Sequence, residues 1–151
     1  MSEYEFTISL RLRHPDIDPA RVTRTLGIEP QHTWKVGDAR RDPAGAALEG
    51  VYRESYWVAQ LMEQPQLASA RVSVESVLLQ TLAHLRRSQS FLAQLHAEGG
   101  VAELYISLFA RTDFRLELSA QSQALLGHLG LALALDVHLQ PPNAVPAAQT
   151  L

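Results

Sequence analysis

Tyr4-Glu5-Phe6-Thr7-Ile8-Ser9-Leu10-Arg11-Leu12-Arg13 alternates without a break. Tyr4, Phe6, Ile8, Leu10 and Leu12 fall on one face, and Glu5, Thr7, Ser9, Arg11 and Arg13 fall on the other. Successive side chains of a strand point to opposite faces, so the stretch predicts a β-strand with one face on a core and one face wet. Strands of that kind belong to antiparallel sheets, because parallel sheets are covered on both faces and read as unbroken apolar runs. His14-Pro15-Asp16 ends the strand, since proline has no N–H to give to a ladder.

The following segments alternate between helix and strand signals. Asp18-Pro19 reads as an N-cap followed by proline in the first turn of a short helix, and Gly27 closes it. Residues 31–50 read as irregular, with turn chemistry at Gly37-Asp38, Asp42-Pro43 and Gly45. Ser55 to Leu61 predicts a second strand. From Ser73 to Glu98, Val74, Val77, Leu78, Leu82 and Leu85, then Phe91, Leu92 and Leu95, recur at helical steps. These predict two helices or one bent helix, with Ser73 capping the first piece and Ser88 or Ser90 the second. Gly99-Gly100 stops the helix. Val101 to Arg111 reads as a strand, Thr112-Asp113 as a hairpin turn, and Phe114, Leu116 and Leu118 as the returning strand. Ser119 caps a helix ending near Gly130, and Leu131, Leu133, Leu135, Val137 and Leu139 form a last alternating strand.

Ile8-Ser9-Leu10 and Ile106-Ser107-Leu108 echo each other, and each is followed by a short helix ending Leu-Gly, at Leu26-Gly27 and Leu129-Gly130. The expected fold is therefore α+β: an antiparallel sheet with helices mainly on one face, in a duplicated ferredoxin-like β-α-β arrangement. The domain is expected over 1–140, with a Pro- and Ala-rich tail over 141–151 that is mobile or loosely attached.

Composition narrows the function. The 151 residues are 46% hydrophobic and 19% charged, with a net charge of -3. Arginines are scattered, and no run has the basic density of a nucleic-acid patch, so nucleic acid is not expected as a partner. With no cysteine in the chain, thiolate catalysis, disulfides and cysteine-ligated metals are excluded. Residues 1–20 lack an apolar signal core, and no stretch has the length of a membrane span, which points to the cytoplasm and away from a membrane. The six histidines show no His-x-x-x-His spacing, and no nucleophile or phosphate-loop motif occurs, so neither a metal, a cofactor nor a catalytic residue is expected.

The run Arg13-His14-Pro15-Asp16-Ile17-Asp18-Pro19, then Leu26-Gly27-Ile28-Glu29-Pro30, then Thr33-Trp34-Lys35-Val36-Gly37-Asp38, resembles the bacterial DUF4279 family, a domain of unknown function. The resemblance extends roughly from residue 4 to residue 139 and is most specific at 13–38. It implies a bacterial protein and an immunity-like or regulatory binding role, and it supplies no catalytic residues.

One segment combines binding chemistry with turn residues: His32-Thr33-Trp34-Lys35-Val36-Gly37-Asp38-Ala39-Arg40-Arg41. Trp34, Lys35, Asp38, Arg40 and Arg41, extended by Tyr52, Arg53, Tyr56 and Trp57, form a candidate binding surface, because Trp, Tyr and Arg dominate binding hot spots. The competing reading makes the segment a plug. Trp34 and Trp57 then close one end of the core, and Asp38 pairs with Arg40 or Arg41 across a turn. The leading expectation is a non-enzymatic module that binds a protein partner; the alternative is a small anionic ligand held by Arg and Trp side chains, and a homodimer through an exposed strand edge is also open. Arg11 and Arg13 likewise make either a solvated sheet face or an anion-binding one.

Overall fold

The computed structural model describes residues 3–140, so the tail expected over 141–151 lies outside the described residues. The alternating N-terminal stretch becomes β1 (Tyr4–His14), the central strand. Phe6, Ile8, Leu10 and Leu12 are all buried, while Thr7, Ser9 and Arg11 are half-exposed on the opposite face. α1 (Pro19–Leu26) follows, with the Asp18 Oδ1 accepting from the Ala20 N–H at 3.0 Å and Gly27 closing it at φ 67°. β2 (His32–Trp34), β3 (Ala39–Arg41), β4 (Ala47–Val51) and β5 (Ser55–Gln60) come next, then the short β6 (Leu67–Ala68). α2 (Val74–Leu85) and α3 (Gln89–Ala97) are joined by a 3₁₀ turn at Arg86–Ser88. β7 (Val101–Ala110), α4 (Ala120–His128) and β8 (Leu131–Leu139) complete the order.

The main sheet runs β2-β5-β1-β7-β8, with β6 pairing the start of β1, and β3 pairs β4 in a separate two-stranded sheet. β1 is antiparallel to both β5 and β7, and β5 is antiparallel to β2. β1 and β2 therefore run the same way with β5 between them, and β5 and β7 do so with β1 between them. Two interleaved β-α-β units result, the split β-α-β-β-α-β pattern. The expected duplication is not what the ladders show, because β8 lies directly beside β7 and parallel to it, with no strand between. The α4–β8 unit is an addition to one edge of the sheet.

Helix residues Val22 and Leu26, Leu78, Leu82 and Leu85, Phe91 and Leu95, and Leu126 join the buried cluster with Phe6, Ile8, Leu10, Trp57, Leu104 and Ile106. Strand alternation then leaves the opposite sheet face uncovered. Residues 31–50, expected to be irregular, instead supply three strands. The hairpin expected at Thr112-Asp113 does not form, because β1 and β8 already occupy both edges of β7. Phe114, Leu116 and Leu118 pack half-buried against the core without a ladder. Ser73 and Ser119 cap their helices by accepting from the N–H of Ser76 and Ser122, whereas the Ser88 side chain makes no capping bond.

His14 locks the end of β1 to the turn into α1. Its Nδ1 accepts the N–H of Asp16 at 3.1 Å and of Ile17 at 2.9 Å, which places the ring hydrogen on Nε2, 3.6 Å from a Glu98 carboxylate oxygen. The ring fits because residue 100 has no side chain. A Cβ on Gly100 would lie 2.6 Å from Leu95 Cδ2, 2.7 Å from the Leu95 carbonyl oxygen and 2.9 Å from His14 Cδ2. We expect Gly100→Ala to destabilise the fold by about 1–3 kcal/mol in chemical denaturation, the usual cost of overpacking, and an unchanged midpoint would refute this account of the helix–strand corner.

Glu75, in the first turn of α2, reaches the N-cap of α4: its two carboxylate oxygens accept the Ser119 N–H at 3.3 and 3.1 Å. Hydrogen bonding by Ser119 holds the Glu75 carboxyl below its ordinary value of 4.5. A lowered folded-state value stabilises the fold at higher pH, and that increment is lost as pH falls from the ordinary value through the lowered one. Glu75→Gln is expected to flatten the acid limb of a stability-versus-pH curve below pH 4.5; an acid limb identical to that of the parent would count against it.

Candidate functional site

Pairing of β2 with β5 builds the site. Thr33 opposes Trp57 and Trp34 opposes Tyr56, so the two tryptophans emerge on opposite faces of the sheet. Trp57 is 1% exposed in the core and its Nε1 donates to the Thr23 hydroxyl of α1 at 3.0 Å. It fills the core as the plug reading required and is withdrawn from the candidate surface. Trp34 goes to the uncovered face, half-buried, against the same reading.

On that face Trp34 lies between two tyrosines. Its ring centroid is 4.2 Å from that of Tyr52, at an interplanar angle of 11°, and 4.2 Å from that of Tyr56, at 16°. The Tyr52 hydroxyl continues the attachment outward. It accepts the Arg41 N–H at 3.3 Å and donates to the Arg41 carbonyl at 3.2 Å. The stack thereby fastens the β3–β4 hairpin over the sheet as an arch. A tight turn starts the arch: the Asp38 N–H donates to the Lys35 carbonyl at 3.0 Å, with Gly37 at φ 89°, a conformation suited to glycine at the third position of a type II turn. The Asp38 Oδ2 accepts the Lys35 N–H at 2.9 Å, and Asp38 forms no ion pair with Arg40 or Arg41 among the described residues. The cross-turn pair of the plug reading is replaced by this local bond, which closes within four residues and orders fewer side-chain torsions than a carboxylate–guanidinium contact.

Between the arch and the sheet lies an open cleft of about 1030 Å³. Trp34, Tyr56 and Val58 floor it, His32 stands at the sheet side, and Arg40, Arg41 and Asp38 line the arch side. Each guanidinium is steadied by one backbone carbonyl. Arg40 Nη1 donates to Glu49 O at 3.4 Å, and Arg41 Nη1 donates to Gly45 O at 3.1 Å. Neither meets a carboxylate within 4.0 Å among the described residues, so most of their N–H donors face solvent or the cleft. Trp34 Nε1 is out of contact with solvent and has no hydrogen-bond partner. Lys35 lies outside the cleft lining and contributes its backbone to the turn.

Past Tyr56 the uncovered face continues into a small hollow of about 240 Å³ lined by Arg11, Arg13, Tyr56, Val101 and Glu103. The Arg11 guanidinium carbon sits 3.9 Å from the centroid of the Tyr105 ring, and its Nη1 is 4.0 Å from a Glu103 carboxylate oxygen. These contacts hold the Arg11 guanidinium, although its Nε is buried without a hydrogen-bond partner, while Arg13 is exposed. Sequence reasoning did not join Arg11 to Tyr105, although both lie on the polar face of their strands. Their proximity follows from the Ser9↔Tyr105 and Arg11↔Glu103 register, which links strands far apart in the chain. Among the described residues no group of three His, Asp or Glu could hold a metal ion, and no helix is long and apolar enough to cross a membrane.

A family model described as a domain of unknown function (DUF4279) matches residues 3–140, and the chain belongs to that family. No curated protein and no solved structure matches it.

The stack and the Tyr52 hydroxyl are the arch's main fastening. Tyr52→Phe keeps the ring contact and loses two hydrogen bonds, each worth about 0.5–1.5 kcal/mol. We expect faster amide exchange at 39–51 in that variant with little change in exchange from the β1–β7 ladder; uniform acceleration across both regions would show that the arch does not open separately.

Proposed function

We propose that this DUF4279 chain is a non-enzymatic binding module that holds a small molecule bearing an anionic group between the arch and the uncovered sheet face. The observation that carries this reading is the pairing of Arg40 and Arg41, both free of carboxylate partners among the described residues, with a concave cleft over an aromatic floor. Ligand sites are concave, largely apolar and fitted with a few polar groups that fix orientation. Guanidinium groups present paired N–H donors whose geometry matches carboxylate and phosphate. The ligand need not stack on Trp34, since Tyr52 and Tyr56 cover both faces of that ring.

A protein partner, immunity-like or regulatory, is the second reading. Leu48 and Val51, 44% and 54% exposed on the arch, favour it. It would be supported better by a broad apolar patch, whereas the aromatic side chains here are turned onto one another. The proposed setting is the bacterial cytoplasm, as expected from the resemblance and the sequence.

The test is a thermal-shift screen of the purified protein against carboxylates, phosphates, nucleotides and other small anions. A ligand at a hundredfold excess over its dissociation constant should stabilise the protein by roughly 2.7 kcal/mol. The proposal expects a shift of several degrees that is lost in the Arg40→Ala/Arg41→Ala variant. A library without any shift, together with a protein captured through the arch, would overturn it in favour of the second reading.

A further inference from the structure

Among the described residues the added α4–β8 unit leaves the sheet with a long open edge, and its exposed residues are not placed at random. β8 ends the strand order and pairs with β7 alone among the described residues. On its helix-side face Leu131 is buried and Leu133 half-buried, but Leu135, Val137 and Leu139 are 48%, 48% and 67% exposed. On the uncovered face the same stretch carries Asp136 and His138. Three exposed apolar residues therefore alternate with an acid and a base, all centred on Val137.

Backbone direction completes the pattern. The Gln140 N–H donates to the Ala110 carbonyl at 2.8 Å. Within a parallel ladder a residue turns both its N–H and its C=O to the same side, and sides alternate along the strand. His138 and Asp136 thus turn their backbone groups toward β7. Leu135, Val137 and Leu139 turn theirs to the open edge, where a further strand would find them.

We propose that this edge joins a second copy of the chain, with β8 pairing antiparallel to its counterpart about a twofold axis through Val137. In such an isologous contact residue i meets j and j meets i. Val137 would face Val137 of the second copy, Leu135 would face Leu139, and Asp136 would face His138. The apolar trio and the carboxylate–imidazole pair select the same axis independently, which a foreign strand of arbitrary sequence does not satisfy. An imidazole directly across from a carboxylate can donate its N–H to it, and apolar pairs across antiparallel strands are favourable. Within one chain His138 Nε2 already lies 3.2 Å from the Asp136 carboxylate, which also accepts the Tyr105 hydroxyl, so both side chains are held on the face where the cross-strand contact would form. Unprotected edges of this length are otherwise uncommon, because they template unwanted pairing. The contact is independent of the cleft, which lies by β2 at the opposite edge of the sheet.

Pairing through one strand edge makes a small contact, so a weak, concentration-dependent association is expected. Sedimentation velocity of the full chain from micromolar to millimolar concentration provides the test. A concentration-dependent closed dimer is expected. Val137→Lys puts like charges on the axis and should shift the midpoint at least tenfold. Val137→Pro removes an N–H from the open edge without removing one from the β7 ladder and should do the same. His138→Glu, which leaves the apolar trio intact, should weaken the dimer by setting like charges across the strands. Circular dichroism confirms that each variant is folded, and the two axis variants guard against one failing to fold. A monomer at every concentration, open-ended larger species, or a dimer indifferent to Val137→Lys would overturn the proposal.

Discussion

Everything in this structure depends on β1 having two unlike faces while both its edges are taken. β5 and β7 pair along it on either side, so its register fixes theirs. A slip of one residue would exchange the faces of the strand, sending Arg11 into the helix layer and Leu10 into water. The cost of burying an unpaired guanidinium is far larger than any single ladder bond. That difference sets the register, and the register places Trp57 under α1 and Tyr56, one residue earlier, on the opposite side. The contents of the core and of the cleft are thus decided together, by one alternation.

The arch depends on that decision. Its two strands touch no helix-side apolar layer and are exposed throughout, so little hydrophobic burial holds them. The Tyr52–Trp34–Tyr56 stack substitutes for a core there. Aromatic pairs in such geometry contribute about 0.5–1.5 kcal/mol each beyond their area, enough to hold a short hairpin in place and small enough to let it open. A site covered by such an element combines a rigid floor, made by β2 and β5, with a cover of low local stability, the usual division between scaffold and binding element.

Much of this was legible in the chain. The strict alternation from Tyr4 to Leu12, the Asp18-Pro19 cap and the Ser73 and Ser119 caps are local signals, and each leads to the element observed. Trp34, Asp38, Arg40 and Arg41 were legible as a group because one irregular stretch contains them all. What was not legible is non-local. The returning strand expected at Phe114–Leu118 has the right pattern, but β7 has no free edge to receive it, and nothing near Thr112 records that β8 arrives later in the chain. The division between Trp34 and Trp57 was hidden for the same reason. Only the pairing of β2 with β5 says which faces the core, and β2 is too short to show a period. The duplicated look of the two Leu-Gly helices was a local likeness too. In the first case β5 enters between the strands the helix connects, and in the second no strand does.

The uncovered face then follows from composition as much as from topology. Four helical segments supply one apolar layer, and the exposed large apolar residues outside it among the described residues are Leu48 and Val51 on the arch, Val101 at the start of β7 and the trio at the end of β8. A second helical layer would have to cover Arg11, Arg13, Glu103, Asp136 and His138, leaving several ionisable groups desolvated. The sheet instead leaves Arg13 in solvent and sets the others against lateral neighbours, with Arg11 over Tyr105 and near Glu103, and His138 beside Asp136 and stacked on Phe109 at 4.9 Å. These lateral contacts are why one face of the sheet stays polar and open without a covering layer. At the β2 edge the arch encloses space that the neighbouring strands do not fill, and Arg40 and Arg41 line that space. A guanidinium with no lateral partner has contacts left to make, and by that criterion Arg40 and Arg41, without a carboxylate neighbour among the described residues, differ from Arg11, which lies over Tyr105 and near Glu103.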